Sequence, residues 1–174
     1  ALSAMNKVGA RAEDIAAIAA RYEGWVSGKL ERKAVVVYDT MWHSTERMAQ
    51  AIAEGFIRQG VSTKLYCLQD THHSDIVPEI MTAQYLAVGS PTLNNGMMPL
   101  VAGLLCYVKG LVPGKGHSAL AFGSYGWGGQ SAGLVQQQLD EAGFDRLLEM
   151  ERINYIPTAE QLAALTERVA AAVQ

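Results

Sequence analysis

The sequence is short of several things, and each shortage excludes a class of protein. No apolar run approaches the roughly 20 residues of a bilayer-spanning helix. The alanine-rich start does not present charged, apolar and cleavage regions in signal-peptide order, so a cytoplasmic protein with no membrane partner is expected. Cysteine occurs only as Cys67 and Cys106, without the C-x-x-C spacing of a zinc, iron or dithiol site, and both are expected to be reduced, buried thiols. The four histidines are His43, His72, His73 and His117; the adjacent pair seldom converges on one ion, and no metal site is expected. A formal net charge of -3, with Lys, Arg, Asp and Glu mixed along the chain, leaves no basic stripe to follow a nucleic acid. There is no internal repeat, and no low-complexity tract beyond the alanine-rich ends.

What is present is enough apolar residue for a real core. At 174 residues and 49% apolar composition, the chain has room for one ordinary domain plus a short extension. Ile15, Ile18, Ala19, Tyr22 and Trp25 fall at helical spacing within 12–25, while the first ten residues show no periodicity. Gly28 and the charged run Lys29 to Lys33 then read as a boundary, dividing an N-terminal extension (1–30) from a main domain (31–174). Ala34 to Tyr38 is a continuous β-branched run, as in a strand covered on both faces. A helix from Ser44 to Arg58 follows, with Gly60 as its stop.

The alternation then repeats. Thr63 to Leu68 reads as a strand, Ile76 to Thr82 as a short helix introduced by Ser74-Asp75, and Tyr85 to Val88 as a third strand. Met97 to Lys109 is an apolar helix ended by Gly110, Ser118 to Phe122 a fourth strand, and Gly133 to Ala142 a helix closed by Gly143. Leu148 to Ile153 is a weaker fifth strand, and Ala159 to Val173 a last helix opened by Thr158 with Glu160 and Gln161 in its first turn. Strands joined by crossover helices predict an α/β fold: a doubly wound five-stranded parallel sheet in the order 2-1-3-4-5.

Three loops then leave the same edge of that sheet, after strands one, three and four, where open α/β sheets hold ligands. The first, Thr40-Met41-Trp42-His43-Ser44-Thr45, offers hydroxyls at a helix start, which suits a phosphate; Ser44 as a plain N-cap is an equal reading. G-x-G-x-x-G is absent after the first strand and so is a Walker lysine, which points to a single terminal phosphate. In the second loop Pro91, Thr92, Leu93, Asn94, Asn95 and Gly96 combine a stiffened backbone with residues that tolerate left-handed geometry and allow close approach to a ring edge. The third loop carries Tyr125 and Trp127 among glycines, suited to stacking on a planar ring or to anchoring a partner protein. Together the loops describe a flavin mononucleotide (FMN) pocket.

The strings Val36 through Thr45, Gly89 through Gly96, Leu105 through Leu111 and Phe122 through Trp127 resemble the flavodoxin-like domain of the flavodiiron proteins, or A-type flavoproteins, and the resemblance runs from about Arg21 to the C-terminus. It implies phosphate contacts at Thr40, Met41, Trp42, Ser44 and Thr45, and ring contacts at Pro91, Thr92, Leu93, Asn94, Asn95, Gly96, Ser124, Tyr125, Gly126 and Trp127. His43 and Gly128, in the same loops, are candidates too. His43 stands where related phosphate loops often carry glycine, either as a pH-dependent charge beside the phosphate or as a solvent-facing ring.

In that family a metallo-β-lactamase-like diiron domain precedes the flavin module and reduces dioxygen or nitric oxide. The H-x-E-x-D-H string of such a site is missing here. The resemblance therefore implies an electron-transfer module that receives electrons from rubredoxin or an NAD(P)H-dependent reductase and passes them to a diiron partner on another domain or subunit. The helix ending near Trp25 matches the segment leading out of the diiron domain, and its apolar stripe implies docking or homodimer formation.

Two other readings use the same fold. An NAD(P)H:quinone oxidoreductase, or a stand-alone flavodoxin, would share the cofactor; no dedicated nicotinamide or quinone residues are evident. A phosphoacceptor signalling domain would need an aspartate ending the third strand, where Gly89-Ser90 stands instead. No catalytic side chain is assigned, since flavin chemistry needs none.

Overall fold

The computed structural model describes residues 12–26, 28–112 and 114–173. Elements run in the order α1 (Ala12–Val26), β1 (Glu31–Tyr38), α2 (Ser44–Arg58), β2 (Ser62–Cys67), α3 (His73–Ile80), β3 (Ala83–Gly89), α4 (Pro99–Leu111), β4 (Ser118–Tyr125), α5 (Gln130–Glu141), β5 (Asp145–Arg146), β6 (Glu151–Asn154) and α6 (Ala159–Ala172). The sheet is parallel, in the order β2-β1-β3-β4-β5, with β6 also paired to β4. The α/β architecture and strand order read from the sequence are those observed.

Central strands alternate their side chains between two cores because the strand repeat is two residues. Val35, Val37, Leu86, Val88, Ala119 and Ala121 pack with α3, α4 and α5 on one face. Ala34, Val36, Tyr38, Tyr85, Ala87, Leu120 and Phe122 pack with α2 and α6 on the other. Residues Ala34 to Tyr38 are buried on both faces, so the β-branched run follows from coverage by helices rather than from amphipathic alternation.

The second face is drawn tight where α6 crosses α2. Thr166 Oγ1 donates to Ala51 O at 2.9 Å. A Cβ placed on Gly55 would lie 2.8 Å from Thr166 O and 2.8 Å from Val169 Cβ. α6 is itself set by a capping box, Thr158 Oγ1 accepting from Gln161 N and Gln161 Oε1 from Thr158 N.

Several boundaries differ from the sequence reading, each for a tertiary reason. Lys33, read as part of a linker, lies in β1 and is buried; its ammonium donates to Glu79 Oε2 at 3.1 Å and Thr82 Oγ1 at 2.6 Å. Burial pushes the Glu79 carboxyl up, but hydrogen bonds from Lys64 and Lys33 outweigh it and hold its pKa below the ordinary value. α3 begins three residues early because His72 caps it, Nδ1 accepting from Ser74 N at 3.3 Å. Gly110 does not end α4, which runs one residue further to Leu111 with open space around the glycine.

The expected fifth strand is two pieces. β5 pairs with Ser118 and Ala119, β6 with Phe122 to Tyr125, and between them the chain leaves the ladder so that Leu147 and Leu148 pack on one core and Met150 on the other. The cysteines are also not the buried pair expected: Cys67 is half-buried at the end of β2, and Cys106 is exposed on α4. Among the described residues of α1 no side chain is buried; the Trp25 side chain and the first ten residues lie outside the description. No helix among the described residues is long and apolar enough to cross a membrane.

Two outcomes follow from this packing. Gly55→Ala gains about 1 kcal/mol of helix propensity but overpacks the α2–α6 contact at a cost of about 1–3 kcal/mol. A thermal melt should therefore show a lower Tm than wild type, and an unchanged or higher Tm would mean that α6 yields freely. His117 is buried, with Nδ1 2.7 Å from Ala83 O, and burial lowers its pKa below 6.5. The unfolded chain then takes up a proton before the folded one, so this contribution to stability is full above pH 6.5 and is lost as pH falls through the folded pKa. Tm should drop on acidification between about pH 7 and 5, and His117→Gln should flatten that part of the profile.

Candidate functional site

A cleft of about 520 Å3 opens where β1, β3 and β4 end. Its walls come from the three expected loops and from a fourth segment, Tyr155-Ile156, between β6 and α6. Of the expected residues, Met41, Trp42, Ser44, Pro91, Thr92, Asn94, Asn95, Ser124, Tyr125, Gly126, Trp127 and Gly128 line it. Thr40, His43, Thr45, Leu93 and Gly96 stand behind or beside that wall. No Lys, Arg, Asp or Glu is among the lining residues.

The first loop is fixed by its own backbone. Asp39 is buried at the end of β1, its Oδ1 accepting from Thr40 N at 2.7 Å and Gln69 Nε2 at 2.7 Å, while Gln69 Nε2 also donates to Thr40 O at 2.6 Å. His43 adopts φ 63°, a left-handed conformation that turns the chain into α2 and that glycine adopts at less cost. Its ring is exposed, with Nδ1 2.6 Å from Glu46 Oε2. No side chain caps α2. The N–H groups of its first turn, which have no partner within a helix, are therefore left to a ligand or water beside Ser44.

Neutral hydroxyls knit the loops together. Thr45, fully buried, shares a 2.8 Å hydrogen bond between its Oγ1 and Ser124 Oγ, tying α2 to β4. Ser90 Oγ donates to Pro91 O and accepts from Met98 N, both at 2.9 Å. Thr92 Oγ1 donates to Ser131 Oγ at 3.0 Å, and Ser131 Oγ donates to Ser90 O at 2.8 Å. Gly123 is where the strand must pass this network: a Cβ there would come within 2.1 Å of Ser90 O.

The second loop is a two-residue turn. Leu93 N donates to Gly96 O and Gly96 N to Leu93 O, at 3.0 and 2.8 Å, with Asn94 and Asn95 at φ 48° and 59°. Both central residues at positive φ make a type I′ geometry, which is why asparagines occupy it. The third loop is held from below, since Asn154 Nδ2 donates to Tyr125 O at 3.2 Å and to Gly126 O at 2.8 Å. Trp127 and Trp42 stand 96% and 86% exposed at the cleft mouth, uncovered among the described residues.

Burial raises the pKa of the Tyr38 phenol well above its ordinary value, helped by Cys67 and Glu46, so it stays protonated. Burial likewise pushes the Cys67 thiol up. Among the described residues no three His, Cys, Asp or Glu side chains converge as metal ligands. One feature does ask for a ligand: Thr40 Oγ1, buried in the first loop, has no hydrogen-bond partner, nor does Oδ2 of the preceding Asp39. A buried hydroxyl left so costs about 1–3 kcal/mol, and a phosphate oxygen accepting from Thr40 Oγ1 would recover it. An apolar slot flanked by aromatics and amides, with neutral donors at one end, fits a planar ring carrying one phosphate.

Sequence reasoning missed Tyr155 and Ile156. They follow a strand of only four residues, and the one signal was an aromatic exposed between that strand and Pro157.

Comparison with known proteins agrees with this geometry. Residues 36–167 match the family described as Flavodoxin. The chain is 41% identical over 157 residues to a rubredoxin-oxygen oxidoreductase of Megalodesulfovibrio gigas, covering 88% of this chain and 39% of that protein. It is 39% identical over 142 residues to a nitric oxide reductase of Moorella thermoacetica, covering 81% and 35%. The crystal structure of the flavodiiron protein from Giardia intestinalis superposes with a TM-score of 0.83 at 30% identity, over 92% of this chain and 40% of that one. The chain thus spans 35% to 39% of the length of these two curated relatives.

The turn geometry makes a direct prediction. Asn95→Ala at φ 59° should cost about 1–2 kcal/mol, lowering Tm by about 2–4 °C per kcal/mol, whereas Asn95→Gly should stay near wild type. Equal melts for the two variants would show that the left-handed turn does not constrain this loop.

Proposed function

The chain belongs to the flavodoxin family and resembles the flavin module of the flavodiiron oxygen and nitric oxide reductases, domains that bind FMN; from that premise we propose that the cleft at the sheet edge is its FMN site. When bound, FMN supplies one- and two-electron redox chemistry. The protein's part is to hold and orient it. Ser44, the first-turn N–H groups of α2 and the unpartnered Thr40 hydroxyl take the phosphate; the Pro91 to Gly96 loop meets the pyrimidine edge of the ring; Tyr125 and Trp127 flank it. The observation that carries this reading is the orphaned Thr40 hydroxyl, buried in the loop that forms one wall of a cleft lined by no Lys, Arg, Asp or Glu.

The reading extends to electron flow. Rubredoxin or an NAD(P)H-dependent reductase delivers electrons to the flavin, and a diiron domain or subunit receives them, as the names of the rubredoxin-oxygen oxidoreductase and flavodiiron relatives support. The exposed Trp42 and Trp127 would put the ring edge close to such a partner, where electron transfer needs contact without bond making. Residues 31–174 form the flavin module and residues 1–30 an extension, with α1 the segment that docks or pairs with another copy. A cytoplasmic setting goes with this role.

Protein mixed with excess FMN and desalted should keep flavin absorbance and quench flavin fluorescence; colourless protein would overturn the assignment. Thr40→Val, which removes one hydrogen bond to a charged group worth about 1.5–3 kcal/mol, should weaken FMN about 10- to 100-fold. It should leave riboflavin, which lacks the phosphate, unaffected.

A further inference from the structure

The cleft has a wall that none of the three sequence loops supplies. Tyr155 and Ile156 line it from the β6–α6 turn, at 62% and 64% exposure. Tyr155 has φ 59°. A left-handed tyrosine costs about 1–2 kcal/mol relative to glycine, and asparagine tolerates the conformation better. If the turn served only to lead β6 into α6, either residue would serve without strain. Core packing does not explain the ring either, because most of it is in solvent.

The surroundings hold the strained residue in place. Tyr155 N donates to Tyr125 O at 2.8 Å. Asn154 pairs with Tyr125 at the end of the ladder, and its amide reaches back to Tyr125 O and Gly126 O. The segment is thus hydrogen-bonded to the loop that carries Trp127. A residue kept in a costly conformation by several hydrogen bonds, with its side chain facing an apolar cleft, is the pattern of a ligand contact.

We propose that Tyr155 is a flavin-ring contact: its phenol ring, presented by the left-handed turn and backed by Ile156, closes the open side of the isoalloxazine against Trp127, with Asn154 as the positioning residue. This rests on the cleft being the flavin site. It adds a residue from a fourth segment, and it assigns that residue to the ring and not to the phosphate. Aromatic contact of this kind is worth about 0.5–1.5 kcal/mol, and so about 2- to 13-fold in affinity.

The test uses Tyr155→Asn, which removes the ring while relieving the backbone, with Tyr155→Phe as the conservative variant. FMN and riboflavin affinities are titrated by fluorescence quenching on the full chain, beside thermal melts. Tyr155→Asn should be as stable as wild type or more so, yet bind FMN and riboflavin about 2- to 13-fold more weakly, by equal factors. Tyr155→Phe should bind both as wild type does. Unchanged affinity in Tyr155→Asn while wild type binds FMN would overturn this inference and leave the site assignment standing. A loss confined to FMN, or a loss accompanied by a lower Tm, would also overturn it, the first placing the effect at the phosphate and the second making the role structural. Wild type that binds neither ligand would remove both the inference and the site it rests on.

Discussion

The hydrogen bond between Thr45 and Ser124 is the contact on which the arrangement of this edge depends. It joins the first turn of α2 to the end of β4 across the switch point of the sheet, with both residues buried. Once it is made, the relay from Ser131 to Ser90 and Thr92 fixes the second loop against the same strand. The second and third loops are therefore tied by neutral hydroxyls, two of which, on Thr92 and Ser124, belong to residues that also line the cleft. A buried polar network of this kind gives rigidity only when every member has a partner. The hydroxyl without one, on Thr40, is the place where the network expects something from outside.

That design suits a redox cofactor. A flavin needs a fixed seat and controlled surroundings, not acids or bases, and the side chains nearest the cleft with displaced titrations, Tyr38 and Cys67, are displaced toward their protonated forms. Charge is kept away from the cleft wall, while the mouth is left apolar and uncovered at Trp42 and Trp127. The combination is that of a module whose chemistry is done by a bound ring.

Much of this was legible in the sequence where local chemistry decides structure. The Ala34 to Tyr38 run read as a doubly covered strand and is one, α2 began at Ser44 and ended at Arg58 as its stripe and Gly60 indicated, and the Thr158 and Gln161 capping box opened α6 where it was read. The turn at Asn94-Asn95 was announced by its residue types. What escaped was set by contacts between distant parts. Lys33 reads as a solvated charge until Glu79 and Thr82 arrive from another element. Cys106 sits in an apolar helix yet points outward, because helix composition does not fix which side faces the core. Thr45 was read by its position as a phosphate contact, and its hydrogen bond to Ser124, a residue 79 positions away, has no sequence signal. Tyr155 escaped because β6 is too short to carry a period, and positive φ on a tyrosine has no sequence signature.

The central claim is that uncharged donors, preset by the hydroxyl network, hold a single-phosphate flavin at this edge. The salt dependence of FMN affinity tests it most directly, because attraction between exposed ions is screened over about 10 Å at 0.1 M salt and hydrogen bonding to neutral donors is not. FMN titrated at low and at high ionic strength should give nearly the same Kd. A steep loss of affinity with added salt would mean that cations grip the phosphate, and would contradict the account.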